Sequence, residues 1–383
     1  MSKKFYPSAM SLSRRQLLKA AGITMGAAAV GLSPFASANT SGSSTHRTLN
    51  ILSWPGHADP FAVAEFEKLY NCTVVAREYV GGDAMLALVH QAPAGTFDVI
   101  HADAEYVDML RMGGLIDKLD PKDYPIDDFF PDFQRFEGHW DGDDLYSVML
   151  RFGYIGMAYR TDVFSPDEVK SYSALWSDKA EGKTGMFDWY LPTMGCLSLH
   201  DGNRPPFDIT DQQFDKLTKT LKSLAPQVSG FYTMSNLFSM LSNGTATIIP
   251  GIGDWVVDLL QRDGVPVAAT VPDEGGLQWT ESLSIASGSK NKDLAKAFIQ
   301  YMTSPEGQIR TARLPAYVAS IPNRKGWELL NQRHPEDAKR LRMTFDGPNI
   351  MDEYAKGKIF VRKLPVQQDI ERWNDAWTSF KSA

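Results

Sequence analysis

The chain has 383 residues, 43% hydrophobic and 22% charged, with 39 Lys and Arg against 46 Asp and Glu. At about 150 residues per domain this length suggests two or three domains, and the apolar share excludes disordered, collagen-like and low-complexity classes. A net charge of −7 excludes a phosphate-backbone nucleic-acid binder, which needs surplus cations, and two cysteines cannot staple the chain or build a structural zinc site.

Met1–Lys19 carries Lys3, Lys4, Arg14, Arg15 and Lys19 and no acid, Ala20–Leu32 is uncharged and rich in Ala and Gly, and Ala36-Ser37-Ala38 offers small residues to a peptidase. That order of basic, apolar and cleavable segments predicts a signal peptide over residues 1–38, cleaved near Ala38, and a periplasmic mature protein. Ser13-Arg14-Arg15-Gln16-Leu17-Leu18-Lys19 resembles the twin-arginine signal, whose pathway exports folded proteins. The apolar run falls short of the about 20 residues of a spanning helix. Removing the signal leaves 34 Lys and Arg against 46 acids. Residues 39–47, rich in Ser, Thr, Asn and Gly, read as a flexible lead-in.

Order begins with a strand over Thr48–Trp54, and Pro55-Gly56 breaks it. Phe61, Ala64, Phe66 and Leu69 give a helical face up to Tyr70. Cys72–Val80 is extended, Ala84–Gln91 helical, Phe97–Ala102 a strand and Glu105–Met112 a helix. Strands alternating with helices predict a parallel sheet, because parallel neighbours need crossover connections. In such sheets the ligand sits beyond the C-terminal strand ends, which here carry Trp54, Gly81-Gly82-Asp83 and Asp103-Ala104-Glu105. Asp83 and Asp103 also precede helices, where Asp is a favoured cap.

Asp117–Asp144 is rich in Asp, Pro and Phe and reads as irregular, and Leu145–Tyr159 as extended. A second α/β region follows, with a strand near Gly185–Phe187, a helix over Asp211–Leu224, strands at Ala246–Ile249 and Val265–Val271, and a helix from Asp254 between them. Leu277–Ile285 is again extended, and Lys292–Met302 is an amphipathic helix. Two long extended passages between two α/β regions predict two lobes joined by more than one crossing. Cys72 and Cys196 fall in different regions and read as separate buried thiols.

Motifs for enzymatic chemistry mostly fail. The histidines at 46, 57, 90, 101, 139, 200 and 334 are scattered, with no i, i+4 pair, and read as surface or satisfied core residues rather than metal ligands. Gly251-Ile252-Gly253 lacks the third glycine of a dinucleotide fingerprint, and no Gly-x-Ser-x-Gly elbow occurs. No cofactor, metal or catalytic residue is therefore expected. What remains is a pairing of aromatic rings with acids: Trp54 with Asp103 and Glu105, Asp188-Trp189-Tyr190, Asp254-Trp255, and Trp279-Thr280-Glu281. An ammonium leaving water needs carboxylate oxygens, and a ring face attracts it by about 0.5–2 kcal/mol. Trp279 and Glu281, at i and i+2 of a strand, face the same side.

These residues resemble the periplasmic spermidine/putrescine-binding proteins of ABC transporters, over nearly the whole mature chain from Leu49. Leu49–Trp54 is similar to that family's opening strand with its stacking Trp, and Phe97–Ile100 with Tyr106–Ile116 to its third strand and following helix. Asp273-Glu274-Gly275-Gly276-Leu277-Gln278-Trp279-Thr280-Glu281-Ser282-Leu283 resembles its most diagnostic stretch, and Lys292–Gln308 with Pro322-Asn323 its later helix and loop. The resemblance implies an α/β, two-lobed, type II-like binding fold. Each lobe would be a mixed, mostly parallel sheet flanked by helices: 48–151 with 284–344, and 152–283 with 345–383. The crossings near Leu150–Tyr154 and Leu277–Leu283 would be the hinge. It further implies Trp54 and Trp279 as stacking walls, Glu281 as an ammonium acceptor, Trp255 as a displaced wall and Tyr317 as a C-terminal aromatic. Asp103 and Glu105 stand where that family has a hydroxyl and a Tyr. Its two loop acids fall here on Trp189 and Pro192, with Asp188 the nearest carboxylate. The expected partners are a linear polyamine and a membrane permease, with a monomeric receptor and no nucleic acid. The alternatives are another amine-bearing solute (an opine, a quaternary amine or an amino-acid conjugate) whose anion Arg151 or Arg313 would bind, and an exported enzyme.

Overall fold

The computed structural model describes residues 46–382, so the signal peptide and nearly all of the lead-in lie outside the described residues. Its strands are β1 (Arg47–Ser53), β2 (Cys72–Glu78), β3 (Val99–Asp103), β4 (Trp140–Asp141), β5 (Asp144–Leu145), β6 (Val148–Arg160), β7 (Thr184–Phe187), β8 (Val228–Tyr232), β9 (Ile248–Gly253), β10 (Val267–Thr270), β11 (Gly276–Ile285) and β12 (Ile359–Val361). Ten of them share one sheet in the order β2-β1-β3-β11-β6-β9-β7-β8, with β10 pairing β6 and β12 pairing β11.

The sheet has a parallel group at each end and an antiparallel middle. β1 lies parallel between β2 and β3, and β7 lies parallel between β8 and β9. The two long strands β6 and β11 run antiparallel to each other; β11 is antiparallel to β3, and β6 to β9. They are the two extended passages expected from the sequence, and every residue of β11 is buried. Buried apolar side chains form two clusters, one including Phe66, Phe298 and Trp327, the other Tyr172, Leu197, Leu217 and Trp373.

Local chemistry explains the first crossover. Asp59 caps helix Pro60–Tyr70 by accepting from the Phe61 N–H, Pro60 starts it, and Asn71 ends it at φ 47°. Ala62, Val63 and Phe66 are its buried face. Helix Lys292–Thr303 is amphipathic as expected and buries Leu294, Ala295, Phe298, Ile299 and Met302, with Ala297 and Tyr301 only partly covered. Helix Tyr190–His200 has no such signature. All of its residues except His200 are buried, so it shows no polar face to read. The region read as irregular, 117–144, holds short 3₁₀ turns, one helical turn and the β4–β5 hairpin. Cys72 and Cys196 are buried and free, and burial pushes the Cys196 thiol up to about 12, which leaves it unreactive. No helix of the described residues is long and apolar enough to cross a membrane.

Candidate functional site

The site lies where the ends of both parallel groups face each other. Trp54 follows β1 and Asp103 ends β3, at adjacent strand ends. Trp189 follows β7, and Trp255 stands in helix Asp254–Arg262 directly after β9. Register does the rest. On β11, Glu281 is opposite Asp103 of β3 on one side and Arg151 of β6 on the other, and Trp279 is opposite Gly153. The resulting pocket holds about 420 Å³ of space outside the atoms, and its wall includes Trp54, Asp103, Trp189, Trp255, Trp279, Glu281, Tyr317 and Arg362.

Rings line this pocket almost continuously. Trp54 lies 5.9 Å from Trp189, Trp189 6.2 Å from Phe187, Phe187 6.5 Å from Trp255, and Trp255 5.9 Å from Tyr317, as centroid distances. Trp279 takes its place because Gly153 carries no side chain. A Cβ there would sit 2.7 Å from the indole ring. Gly153→Ala is therefore expected to displace Trp279 and weaken ligand binding at least fivefold by calorimetry, with little change in the fold's circular dichroism; unchanged affinity would mean that Trp279 is not a wall of the site.

The charged groups are compensated in two nests. Asp103 is 2% exposed; its Oδ2 accepts from Trp54 Nε1 at 3.1 Å, and its Oδ1 lies 2.8 Å from Arg362 Nη2. Arg362 Nε donates to Glu105 at 2.5 Å, and its guanidinium lies 4.6 Å from the Trp189 ring centroid. Burial, opposed by Arg362 and reinforced by Glu105 and Glu281, pushes Asp103 up to about 7. Burial likewise raises Glu105 against the pull of Arg362.

In the second nest, Arg151 Nε donates to Glu281 Oε2 at 2.6 Å and Nη2 to His57 Nε2 at 2.7 Å. The Tyr317 hydroxyl donates to Glu281 Oε1 at 2.7 Å, and His101 Nε2 lies 3.0 Å from Oε2. Burial works against the charge on Glu281, but Arg151 and His101 outweigh it and hold the carboxyl well below its ordinary range. Burial, with His101 and Arg151, pushes His57 well below its ordinary value. His57, His101 and Glu281 present ligand atoms within 4.8 Å of one another, the donor set of a metal centre. The Arg151 guanidinium, bonded to two of the three, already supplies the positive charge there, so the cluster reads as a buried ion-pair network.

Of the nine residues expected at the site, seven line the pocket: Trp54, Asp103, Trp189, Trp255, Trp279, Glu281 and Tyr317. Glu105 stands behind Arg362 rather than in the wall. Asp188 is turned outward, where its Oδ1 accepts from Lys381 Nζ at 2.5 Å. Asp103 makes no helix-capping bond; its oxygens go to Trp54 and Arg362 instead. The two arginines expected to serve an anion are engaged elsewhere. Arg151 is spent on Glu281 and on the Thr311 and Tyr317 carbonyls, and Arg313 donates to Asp337 at 2.6 Å. The arginine in the wall is Arg362, carried there by the pairing of β12 with β11 and held by its N–H to the Gln278 carbonyl at 2.9 Å. One short strand far along the chain gives no sign of this in the sequence.

The chain is similar to proteins of known family and fold. The family model described as bacterial extracellular solute-binding protein matches residues 62–335. The Spermidine/putrescine-binding periplasmic protein of Escherichia coli (strain K12) is 24% identical over 311 residues, covering 76% of this chain and 82% of its own. Among solved structures, the Spermidine/Putrescine ABC transporter substrate-binding protein PotD of Streptococcus pneumoniae superposes with a TM-score of 0.70 at 18% identity, covering 88% of this chain and 99% of its own. The PBP MotA of A. tumefaciens B6, solved in complex with glucopine, gives 0.68 at 19% identity, covering 87% and 99%. These neighbours share the two-lobed α/β fold of periplasmic binding proteins.

Proposed function

Since the chain belongs to the bacterial extracellular solute-binding proteins, we propose that it is the substrate-binding component of an ABC importer, which captures a small amine-bearing solute outside the cytoplasm and delivers it to a membrane permease. The observation that carries this reading is the arc of rings from Trp54 to Tyr317 closed around the buried carboxylates of Asp103 and Glu281. Ring faces attract a cationic nitrogen and pack against methylenes, and carboxylates replace its lost water. The spermidine- and putrescine-binding relatives support an amine, and the glucopine-bound neighbour supports an amine bearing other groups. The chain makes and breaks no bond in this role.

Capture would occur between two lobes, residues 48–151 with 284–344 and residues 152–283 with 345–383. β6 and β11 join the two parallel groups, so bending near Leu150–Tyr154 and Leu277–Leu283 would open and close the pocket. Closure excludes water and strengthens every charge contact inside. Micromolar affinity corresponds to about −8 kcal/mol, within reach of one ion pair, ring stacking and methylene burial after ordering costs.

A thermal-shift panel of the purified chain with diamines, polyamines, amino acids, opines, quaternary amines, sugars and inorganic anions tests the reading. A ligand at about a hundred times its Kd adds about 2.7 kcal/mol, so at least one amine should raise the Tm by a few degrees. A response to sugars or anions alone would overturn the reading.

A further inference from the structure

Among the described residues, the buried polar atoms of the pocket wall that lack any partner are all donors. Trp189 and Trp279 both line it, and each indole N–H is buried with no hydrogen-bond partner. Arg362, also in the wall and 3% exposed, gives its Nε to Glu105, while Nη2 sits beside Asp103 without the alignment of a hydrogen bond. Each oxygen of the two carboxylates already faces a donor, and those of Asp103 keep a second lone pair for a ligand nitrogen. Asp103 Oδ2 takes Trp54 Nε1, Asp103 Oδ1 lies against Arg362, Glu281 Oε1 takes the Tyr317 hydroxyl, and Glu281 Oε2 takes Arg151. A linear diamine brings N–H donors and no acceptor. It would leave these buried donors unpaired, and an unpaired buried donor costs free energy that a paired one does not. A guanidinium and indole N–H groups in the wall of one pocket are instead donors suited to a carboxylate.

We propose that the ligand joins one cationic nitrogen to a carboxylate, and that Arg362 with the indole N–H groups of Trp189 and Trp279 forms the carboxylate subsite. The ring faces and the field of Asp103 and Glu281 hold the nitrogen. The proposal rests on the amine reading above and narrows it. Charge speaks against a dication: around the pocket the carboxylates of Asp103, Glu105 and Glu281 meet the guanidiniums of Arg151 and Arg362, an excess of one negative charge, which two ammoniums would overshoot.

The test is a matched series with a common four-methylene amine: pentylamine, 1,4-diaminobutane, 5-aminopentanoate and the trimethylammonium form of 5-aminopentanoate, titrated calorimetrically into the purified chain. One of the two carboxylates is expected to bind at least tenfold tighter than both unsubstituted amines, and which one it is separates a primary from a quaternary nitrogen. Arg362→Gln should reduce that ratio to near one. Because this substitution also uncovers Glu105, Trp279→Phe serves as a second variant that keeps an aromatic wall without the N–H; it should narrow the ratio at least threefold. Tighter binding of the diamine or of pentylamine would overturn the carboxylate subsite and leave the amine reading standing. Silence with all four would overturn the carboxylate subsite, and the thermal-shift panel then decides whether the amine reading falls with it.

Discussion

Replacing Arg151 by methionine is expected to destabilise the chain by about 3–5 kcal/mol, because it leaves a buried carboxylate without its partner. Arg151 is fully buried and its donors are committed: Nε to Glu281, Nη1 to the carbonyls of Thr311 and Tyr317, and Nη2 to His57. Its guanidinium also lies 4.1 Å from the Tyr317 ring centroid. The substitution therefore orphans four groups at once, on His57, Glu281, Thr311 and Tyr317. For a chain of this size the loss should lower the Tm by roughly 5–10 °C in differential scanning calorimetry. The double variant Arg151→Met/Glu281→Leu removes both charges and should recover a large part of that loss, since replacing a buried pair by apolar groups is often neutral. A double variant no more stable than Arg151→Met would show that the pairing with Glu281 is not what makes Arg151 costly to remove.

The second large effect is on pH. With its carboxyl pushed up to about 7, Asp103 in the empty pocket is protonated through the mildly acidic range. A ligand whose cationic nitrogen sits at Asp103 favours the ionised form, so binding expels that proton. Affinity should fall by up to tenfold for each pH unit below about 7 and level off above it. Titration at pH 5.5, 7 and 8.5 checks this, and Asp103→Asn should flatten the profile. A wild-type affinity independent of pH would remove Asp103 from the cation site. The sign for folding is separate. The unfolded carboxyl loses its proton near its ordinary value while the folded one holds it to about 7, so the protonated group's contribution to stability is full below about pH 4 and is lost as pH rises through 7. Ligand offsets that loss in the range where it binds best.

The fold was legible in several segments with one wet face, though the equally one-faced helices Met234–Asn243, Arg324–Arg333 and Ile370–Lys381 were not read. Helix Lys292–Thr303 and the β1–β3 crossovers show clean periodicity, because half of each side-chain set is buried and half is not. Helix Tyr190–His200, buried nearly all round, and β8, half-buried throughout, carry no such contrast and were not readable. The rings at the site were readable for a different reason. Trp54 and Trp189 follow strands of the two parallel groups, whose C-terminal ends are the functional edge of such sheets, whereas Trp279, inside antiparallel β11, was readable from its i, i+2 pairing with Glu281.

By itself, then, the sequence determined the α/β class, the strand-end location of the pocket, its aromatic walls and two of its carboxylates, because each depends on local pattern and on rules that link strand order to the functional edge. Tertiary structure alone decided which charges face which. Glu281 meets Arg151 from 130 positions away along the chain, and Glu105 meets Arg362 from 257. Asp188, adjacent in sequence to a wall residue, turns outward to Lys381. A charge acts across a few ångströms of space in a dry interior whatever the length of chain between the partners, so the balance of this pocket is set by the register of β11 against β3, β6 and β12, which the sequence displays at none of these positions singly.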